Sequence, residues 1–381
     1  MATRKDTVRV GLVYGGNSAE HSVSVSSASF IGRALEDAGF YVTPIFVTVE
    51  GEWVWLRDPE ADMDKQPRLC GVPGLGLVLA TNPQDRLALD VVFDIVHGYG
   101  GEDGAYQGYF KVLGLPVVGT DIIGSALCMD KVATKQIWHG EGRFSARYLA
   151  GPAAQLLAMN SGEIFEHLGS PVFVKPVNTG SSVGVCKAHD SVSLQGALQE
   201  AAQYDLQVIV EEQICGREIE VAVWQESMDG PLQASVAAEI IPQKDFYSYQ
   251  AKYQNADDAK LELPANLSSE LLVQLQDLAR EAFRLLKCRG FARVDFFVVD
   301  DICYLNEINT LPGFTSISMF PRLVEYSGRP VHTVLAALVQ EALERGEVVK
   351  KISSAHAELK KKSDSDEVKN NAEKGFPSSR S

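Results

Sequence analysis

The sequence has 381 residues, enough for two or three domains with a sizeable core. Its 35 lysines and arginines stand against 50 aspartates and glutamates, a formal charge of −15. That balance argues against a nucleic-acid binder or a basic membrane-surface protein, while local lysines can still bind anions.

The six cysteines are scattered, with no Cys-x-x-Cys pair, so neither a zinc knuckle nor a disulfide framework is expected. The first residues run straight into a strand pattern without a signal-peptide core, and no apolar run reaches membrane-spanning length. A soluble, cytoplasmic protein with no membrane partner is the expectation.

The N-terminal part alternates strand and helix patterns. Val8 to Tyr14 is a short apolar run ending in Gly15-Gly16, which suits a buried strand. Ala28, Ile31, Leu35 and Ala38 recur at helical spacing, and Gly39 can close that helix. Tyr41 to Val49 and Val91 to Val96 are further β-like runs, the second leading into the glycine-rich HGYGGEDG. A helix up to Gly114 and a strand through PVVGT complete a pattern that predicts a parallel sheet with ligand sites at its strand C-termini. The segment at 50–90, with Trp53 and Trp55, is assigned no role.

The pattern changes near Met129. PVFVKP and QVIVEE are strand signals, and KPVNTGSSVGVCKA between them predicts a hairpin with a flexible tip. From Gly216 onward EIEVAVW, ASVAAEI and ARVDFFVVDDICYLNEIN are β-rich. Val331, Val334, Leu335, Leu338, Val339 and Leu343 then share one helix face. Beyond about residue 350 the chain is polar and charge-dense and is expected to be disordered. The fold expected is α/β over 1–128 and α+β over 129–215 and 216–349, with a tail at 350–381.

Within ARVDFFVVDDICYLNEIN, alternation puts Arg293 and Asp295 on one face of the first strand and Glu307 and Asn309 on one face of the second. A turn on residues 300 to 302 brings Asp295 opposite Glu307 and Arg293 opposite Asn309. Two carboxylates and an amide oxygen then meet beside a cation. Like charges so placed are destabilising unless something positive lies between them, and magnesium takes such oxygen ligands. A solvated hairpin face fits the same alternation.

Lys175 is followed by Gly180, Ser181, Ser182 and Gly184, a tip able to grip phosphates through backbone N–H groups and hydroxyls. It is no P-loop, because GxxxxGK[ST] does not occur. Lys131 is a second candidate phosphate ligand. Glu211, Glu212 and Glu218 lie at a strand end and past a turn, where carboxylates can hydrogen-bond a base and ribose. Each of these fits an ordinary surface role too. Glu20 follows the Gly15-Gly16 turn, where helix capping competes with ligand binding. His97 ends an apolar strand, a common place for a structural histidine. NTLPGFTSISMFP is a turn-rich loop that can present the Gly313 N–H and Ser318.

Taken in order from about residue 8 to 345, these segments resemble the D-alanine–D-alanine ligases of the ATP-grasp superfamily. The resemblance is carried by GGNSAEHSVS, HGYGGEDGAYQG, SALCMDK, VKPVNTGSSVG, VEEQICGREIEV, YSYQAKY, GFARVDFF and NEINTLPGFTSISMFP. It implies an ATP-grasp fold, in which two subdomains clasp ATP. It implies that Glu20, Ser181 and Tyr253 form a hydrogen-bonded set at the first D-alanine, with His97 near its carboxylate.

The same resemblance implies that Lys131, Lys175, Ser182 and Lys252 hold phosphates, and that Glu211, Glu212, Ile214, Glu218 and Asn306 help hold the nucleotide. Asp295, Glu307 and Asn309 would carry two magnesium or manganese ions. Arg293 and the Gly313 N–H would face the oxyanion, and Ser318 with Met319 the second D-alanine. DFYSYQAKY would be a closing lid. In relatives that form a D-alanine–D-lactate ester a histidine occupies the position of Tyr253, so D-alanine is the expected second substrate. A homodimer is implied as well.

Three rival readings fit parts of the same sequence. A D-alanine–D-serine ligase differs only in loops that line the second-substrate pocket. A decayed, non-catalytic copy should lack metal ligands or lysines, and this chain keeps them. A Rossmann dehydrogenase needs a G-x-G-x-x-G in the first βα turn, which is missing.

Overall fold

The computed structural model describes residues 7–56, 62–242, 259–315 and 317–373. Three sheets organise them. The first contains β1 (Arg9–Gly15), β2 (Tyr41–Val47), β3 (Trp53–Trp55), β4 (Arg68–Val72), β5 (Gly76–Leu79), β6 (Asn82–Arg86) and β7 (Val91–Asp94), in the spatial order β6-β5-β4-β3-β2-β1-β7. Only β2, β1 and β7 are parallel. Apolar clusters cover both faces of β1 and β7, which is why these strands read as unbroken apolar runs.

The segment without an assigned role supplies the antiparallel strands β3 to β6. Trp53 anchors them by packing on Tyr106 and Tyr109, with ring centroids 5.2 and 5.4 Å away. The expected strand at PVVGT is reduced to a parallel bridge between Val92 and Val117. Pro116 has no N–H to extend the ladder, and Gly119, at φ +92°, turns the chain away.

The second sheet contains β8 (Tyr148–Pro152), β9 (Val172–Pro176), β10 (Cys186–Ala188) and β11 (Gln207–Glu212), ordered β10-β9-β11-β8. β9 and β10 form the expected hairpin, with Val174 opposite Cys186. The third contains β12 (Arg217–Trp224), β13 (Gln233–Pro242), β14 (Ala259–Glu262), β15 (Phe291–Val299) and β16 (Ile302–Asn309), ordered β14-β13-β12-β15-β16 and antiparallel throughout.

The helices are α1 (His21–Asp37), α2 (Ala105–Leu113), α3 (Ile122–Met129), α4 (Lys131–Gly140), α5 (Ala153–Ala158), α6 (Ser161–Leu168), α7 (Ser191–Ala201), α8 (Ser269–Leu285), α9 (Met319–Tyr326) and α10 (Val331–Glu373). No helix among the described residues is long and apolar enough to cross a membrane.

One apolar cluster runs from β1 and β7 to the third sheet and on to α9 and α10. Phe93, Phe291, Phe314 and Phe320 are its spine: Phe291 lies 5.5 Å from Phe314, and Phe314 lies 5.2 Å from Phe320. This fastens the loop after β16 between the first and third sheets. α10 buries Val334, Leu335, Leu338 and Val339 and then emerges into solvent from Glu347.

The disorder expected beyond residue 350 is not what the structure contains, since α10 continues to Glu373. No glycine or proline interrupts 347–373, and alanine, glutamate and lysine favour the helix without an apolar face to bury.

Candidate active site

β15 and β16 turn through Asp300 and Asp301, both left-handed at φ 48° and 63°. Two central residues with positive φ make the tight hairpin turn that matches strand twist. Val299 pairs with Ile302, one position off the three-residue turn expected. Asn306 is then extra, a bulge between the Phe296–Leu305 and Asp295–Glu307 pairs. The two deviations cancel, so Asp295 does face Glu307 and Arg293 does face Asn309.

Arg293 grips Asp295 with a fork, Nε to Oδ1 at 2.8 Å and Nη2 to Oδ2 at 2.7 Å, and lies 3.3 Å from Glu220 on β12. Burial opposes the guanidinium charge, but Asp295 and Glu220 outweigh it and hold Arg293 well above its ordinary pKa. The cation expected between the carboxylates is thus, for Asp295, Arg293.

The remaining oxygen donors suit a hard cation. Glu307 and Asn309 share a face, and Glu307 helps push the half-buried Glu102 carboxyl well above its usual range, after desolvation and Glu20. Such crowded negative charge calls for a counter-ion. No three His, Cys, Asp or Glu side chains converge as a complete cage among the described residues. A divalent ion here would complete its shell with phosphate oxygens and water, as magnesium does.

A cavity of about 650 Å³ lies between the second and third sheets. Lys131, Lys135 and Lys175 line one side of it, and Glu218, Asn306 and Glu307 another. Asp130 caps α4 by accepting from the N–H groups of Val132 and Ala133 at 2.9 Å. That fixes the start of α4, so Lys131 and Lys135 follow one turn apart on one face. Lys131 Nζ donates to the carbonyl of Thr179 in the β9–β10 tip. Ser182 and Ile214 also line the cavity.

Glu211 lies deeper than a surface acid. It is 4% exposed, and Lys135 and Lys175 each hold one of its oxygens. Glu212 reaches the wall with its carboxylate held by Arg147, through Nε at 2.7 Å and the backbone N–H at 2.8 Å.

Burial raises the Glu211 carboxyl, but Lys135 and Lys175 together overcome it and bring its pKa down to about 2. A depressed folded pKa stabilises the fold above the unfolded value of about 4.3 and loses that contribution as pH falls toward 2. Urea unfolding should therefore show wild type losing roughly 2–3 kcal/mol more than Glu211→Gln on acidification through this window. Parallel stability curves for the two proteins would contradict the pairing.

A second, smaller cavity of about 50 Å³ is lined by Glu20, Glu102, Lys131, Gly180, Ser181, Glu307 and Asn309. Lys131, Gly180, Ser181 and Glu307 line both cavities, so the two share a wall. Ser181 donates to Glu20, joining the hairpin tip to the first sheet's domain. Glu20 stands at the N-cap of α1, yet its side chain does not cap. Ser181 and Ser182 are both left-handed, at φ 50° and 59°. Tyr253 and Lys252, with the expected lid, lie outside the described residues.

His97 uses both ring nitrogens. Nδ1 donates to the Leu311 carbonyl at 2.9 Å, so Nε2 accepts from Ser27 Oγ at 3.2 Å. Ser27 in turn accepts from the Phe314 N–H. Burial lowers the His97 pKa, which suits a neutral ring tying the 310–318 loop to the first sheet. Ser318 Oγ accepts from the Thr315 N–H at 3.0 Å. A Cβ on Gly313 would stand 2.9 Å from that oxygen, so a larger residue there would push the Ser318 hydroxyl from its place beside Thr315. The Met319 side chain is buried in the apolar core and lines neither cavity.

Sequence reasoning missed Lys135, Glu102 and Glu220. Lys135 stands one helical turn after Lys131, and Glu220 stands two residues after Glu218 on the same strand face. Glu102 lies inside the quoted glycine loop.

Family models described as the N-terminus and the C-terminus of D-ala D-ala ligase match residues 9–120 and 154–340. A D-alanine–D-alanine ligase of Shouchella clausii is 42% identical over 362 residues, covering 91% of this chain and 98% of that protein. The D-alanine–D-alanine ligase A of Escherichia coli K12 is 40% identical, covering 89% and 97%. Among solved structures, the Coxiella burnetii D-alanine–D-alanine ligase superposes with a TM-score of 0.80 at 31% identity, covering 92% and 99%. The VanG D-Ala:D-Ser ligase of Enterococcus faecalis gives 0.77 at 31%, covering 88% and 99%.

Two sheets clasping a cavity, with Lys131, Lys135 and Lys175 on one wall and Glu218, Asn306 and Glu307 on the other, define an ATP-grasp ligase. More particularly, the chain belongs to the D-alanine–D-alanine ligase family.

Proposed function

We propose that this chain joins two D-alanines to D-alanyl-D-alanine, converting ATP to ADP and phosphate, for cell-wall precursor synthesis. The shared wall carries the reading: a lysine-lined cavity of nucleotide size touches a small acid-lined cavity through Lys131, Ser181 and Glu307. A phosphoryl donor and an amino acid placed on either side are in reach of each other.

Lys131 and Lys175 hold the phosphates, and Glu218 with the chain at Ile214 holds the nucleoside. Glu20, oriented by Ser181, takes the ammonium of the first D-alanine. Its carboxylate oxygen attacks the γ-phosphorus, giving an acyl phosphate and releasing ADP. The amine of the second D-alanine, its carboxylate at Ser318, then attacks the acyl carbon, and phosphate leaves. Arg293 and the Gly313 N–H stand for the oxygen that becomes negative. Magnesium or manganese held by Glu307 and Asn309, and by Asp295 through the lone pairs that Arg293 leaves it, would neutralise the phosphate oxygens. We place the enzyme in the cytoplasm as a homodimer on family resemblance alone.

A D-alanine–D-serine ligase is the second reading, favoured by the match to VanG. ATP-dependent phosphate release, assayed with D-alanine, D-serine, D-lactate and L-alanine as acceptors beside D-alanine, separates the two. Fastest turnover with D-alanine alone is expected. Preference for D-serine would favour the second reading, and no release with D-alanine would overturn the first.

A further inference from the structure

Glu211 is shared between two lysines of different character. Its Oε1 lies 2.8 Å from Lys135 Nζ, and its Oε2 lies 2.6 Å from Lys175 Nζ. Lys135 comes from α4 and its side chain is 2% exposed, while Lys175 comes from β9 and is 16% exposed. β9 and β11 are neighbours in one sheet, so Glu211 and Lys175 are set by strand register. Lys135 arrives from outside that sheet, on the helix whose first residue is Lys131.

A buried carboxylate paired with one lysine makes a neutral unit. If Glu211 met Lys175 alone, its charge would cancel the attraction of Lys175 for an anion in the cavity. At low effective dielectric that cancellation is large. A second lysine on the other oxygen leaves the unit with one positive charge and holds the carboxylate in a fixed orientation. The ammonium of Lys135 is directed at Glu211, so its effect on a ligand passes through that carboxylate.

We propose that Lys135 is a positioning residue for the triphosphate: it holds and offsets Glu211 so that Lys175 stays fixed and net positive toward the cavity. This rests on reading the large cavity as the ATP site. Lys135 does not touch the reacting atoms. It sets the charge that Lys175 presents to them.

The test is equilibrium binding of β,γ-imido-ATP with magnesium, and of adenosine, to the full chain. Wild type, Lys135→Met, Glu211→Gln and the double variant are compared, with thermal melts to check folding. Lys135→Met should weaken the triphosphate analogue about tenfold and change adenosine by less than about threefold. The double variant should recover most of the lost affinity, because the carboxylate that Lys135 offsets is gone.

Equal weakening of both ligands, unchanged analogue binding, or a double variant no better than Lys135→Met would overturn the proposal. If Lys135→Met does not fold, Glu211→Gln and the double variant decide. They should bind the analogue within about threefold of each other, and a larger gap would overturn it. A wild-type chain that binds neither ligand would instead sink the nucleotide reading of the cavity, a failure distinct from that of Lys135.

Discussion

Arg293→Met is expected to lose roughly 3–5 kcal/mol of stability and to lower kcat by about 10²- to 10³-fold. Glu220 and Asp295 are direct neighbours across the β12–β15 ladder, both buried, and Arg293 reaches both. Like charges directly opposite one another repel, and here one guanidinium is their common partner. Methionine fills the space but leaves two buried carboxylates without it. The catalytic loss is separate, and follows from the proposed role of Arg293 as a donor to the developing oxyanion. Arg293→Lys should keep part of the stability and little of the turnover, since an ammonium cannot reproduce the fork. Thermal melts with steady-state kinetics on the three proteins check both parts. A methionine variant with wild-type melting would contradict the ion-pair account.

Glu307→Gln is expected, by contrast, to cost little stability. Glu307 faces Asp295 across the β15–β16 ladder and raises the charge burden on Glu102. Removing one negative charge relieves repulsion with Glu102 but also weakens the attraction to Lys131 and Arg293, so stability should change little. Activity should fall on the order of 10²-fold or more, and the magnesium concentration for half activity should rise. Losing function while keeping or gaining stability is the mark of a residue retained for chemistry. Full activity in this variant would remove Glu307 from the metal assignment.

The hairpin was the most legible part of the site, because strand alternation is a local rule. Parity alone placed Arg293 with Asp295 and Glu307 with Asn309. The bulge at Asn306 carries no local signal, and only its cancellation against the two-residue turn preserved the pairing. The parallel strands were legible as apolar runs, whereas Trp53 to Arg86 was not, because short antiparallel strands leave little periodicity.

Glu20 shows the limit most clearly. Its position suits a helix cap or a ligand equally, and the contact that takes its side chain away from the cap is with Ser181, 161 residues away. Lys135 is a similar case. A lysine inside an ordinary helix pattern reads as solvated until the fold sets Glu211 against it. Beyond residue 350 the reason is different: a composition poor in large apolar residues predicts no packed core, but it does not forbid a single helix.

The acyl phosphate is the intermediate on which the proposed reaction depends. D-alanine labelled with ¹⁸O in its carboxylate, incubated with ATP, magnesium and the full chain, tests it directly. Attack of that carboxylate on the γ-phosphorus carries one labelled oxygen into the phosphate that leaves in the second step. Mass spectrometry of the released phosphate should find one ¹⁸O per turnover alongside D-alanyl-D-alanine. Phosphate free of label, released at the same rate as the dipeptide forms, would contradict the account.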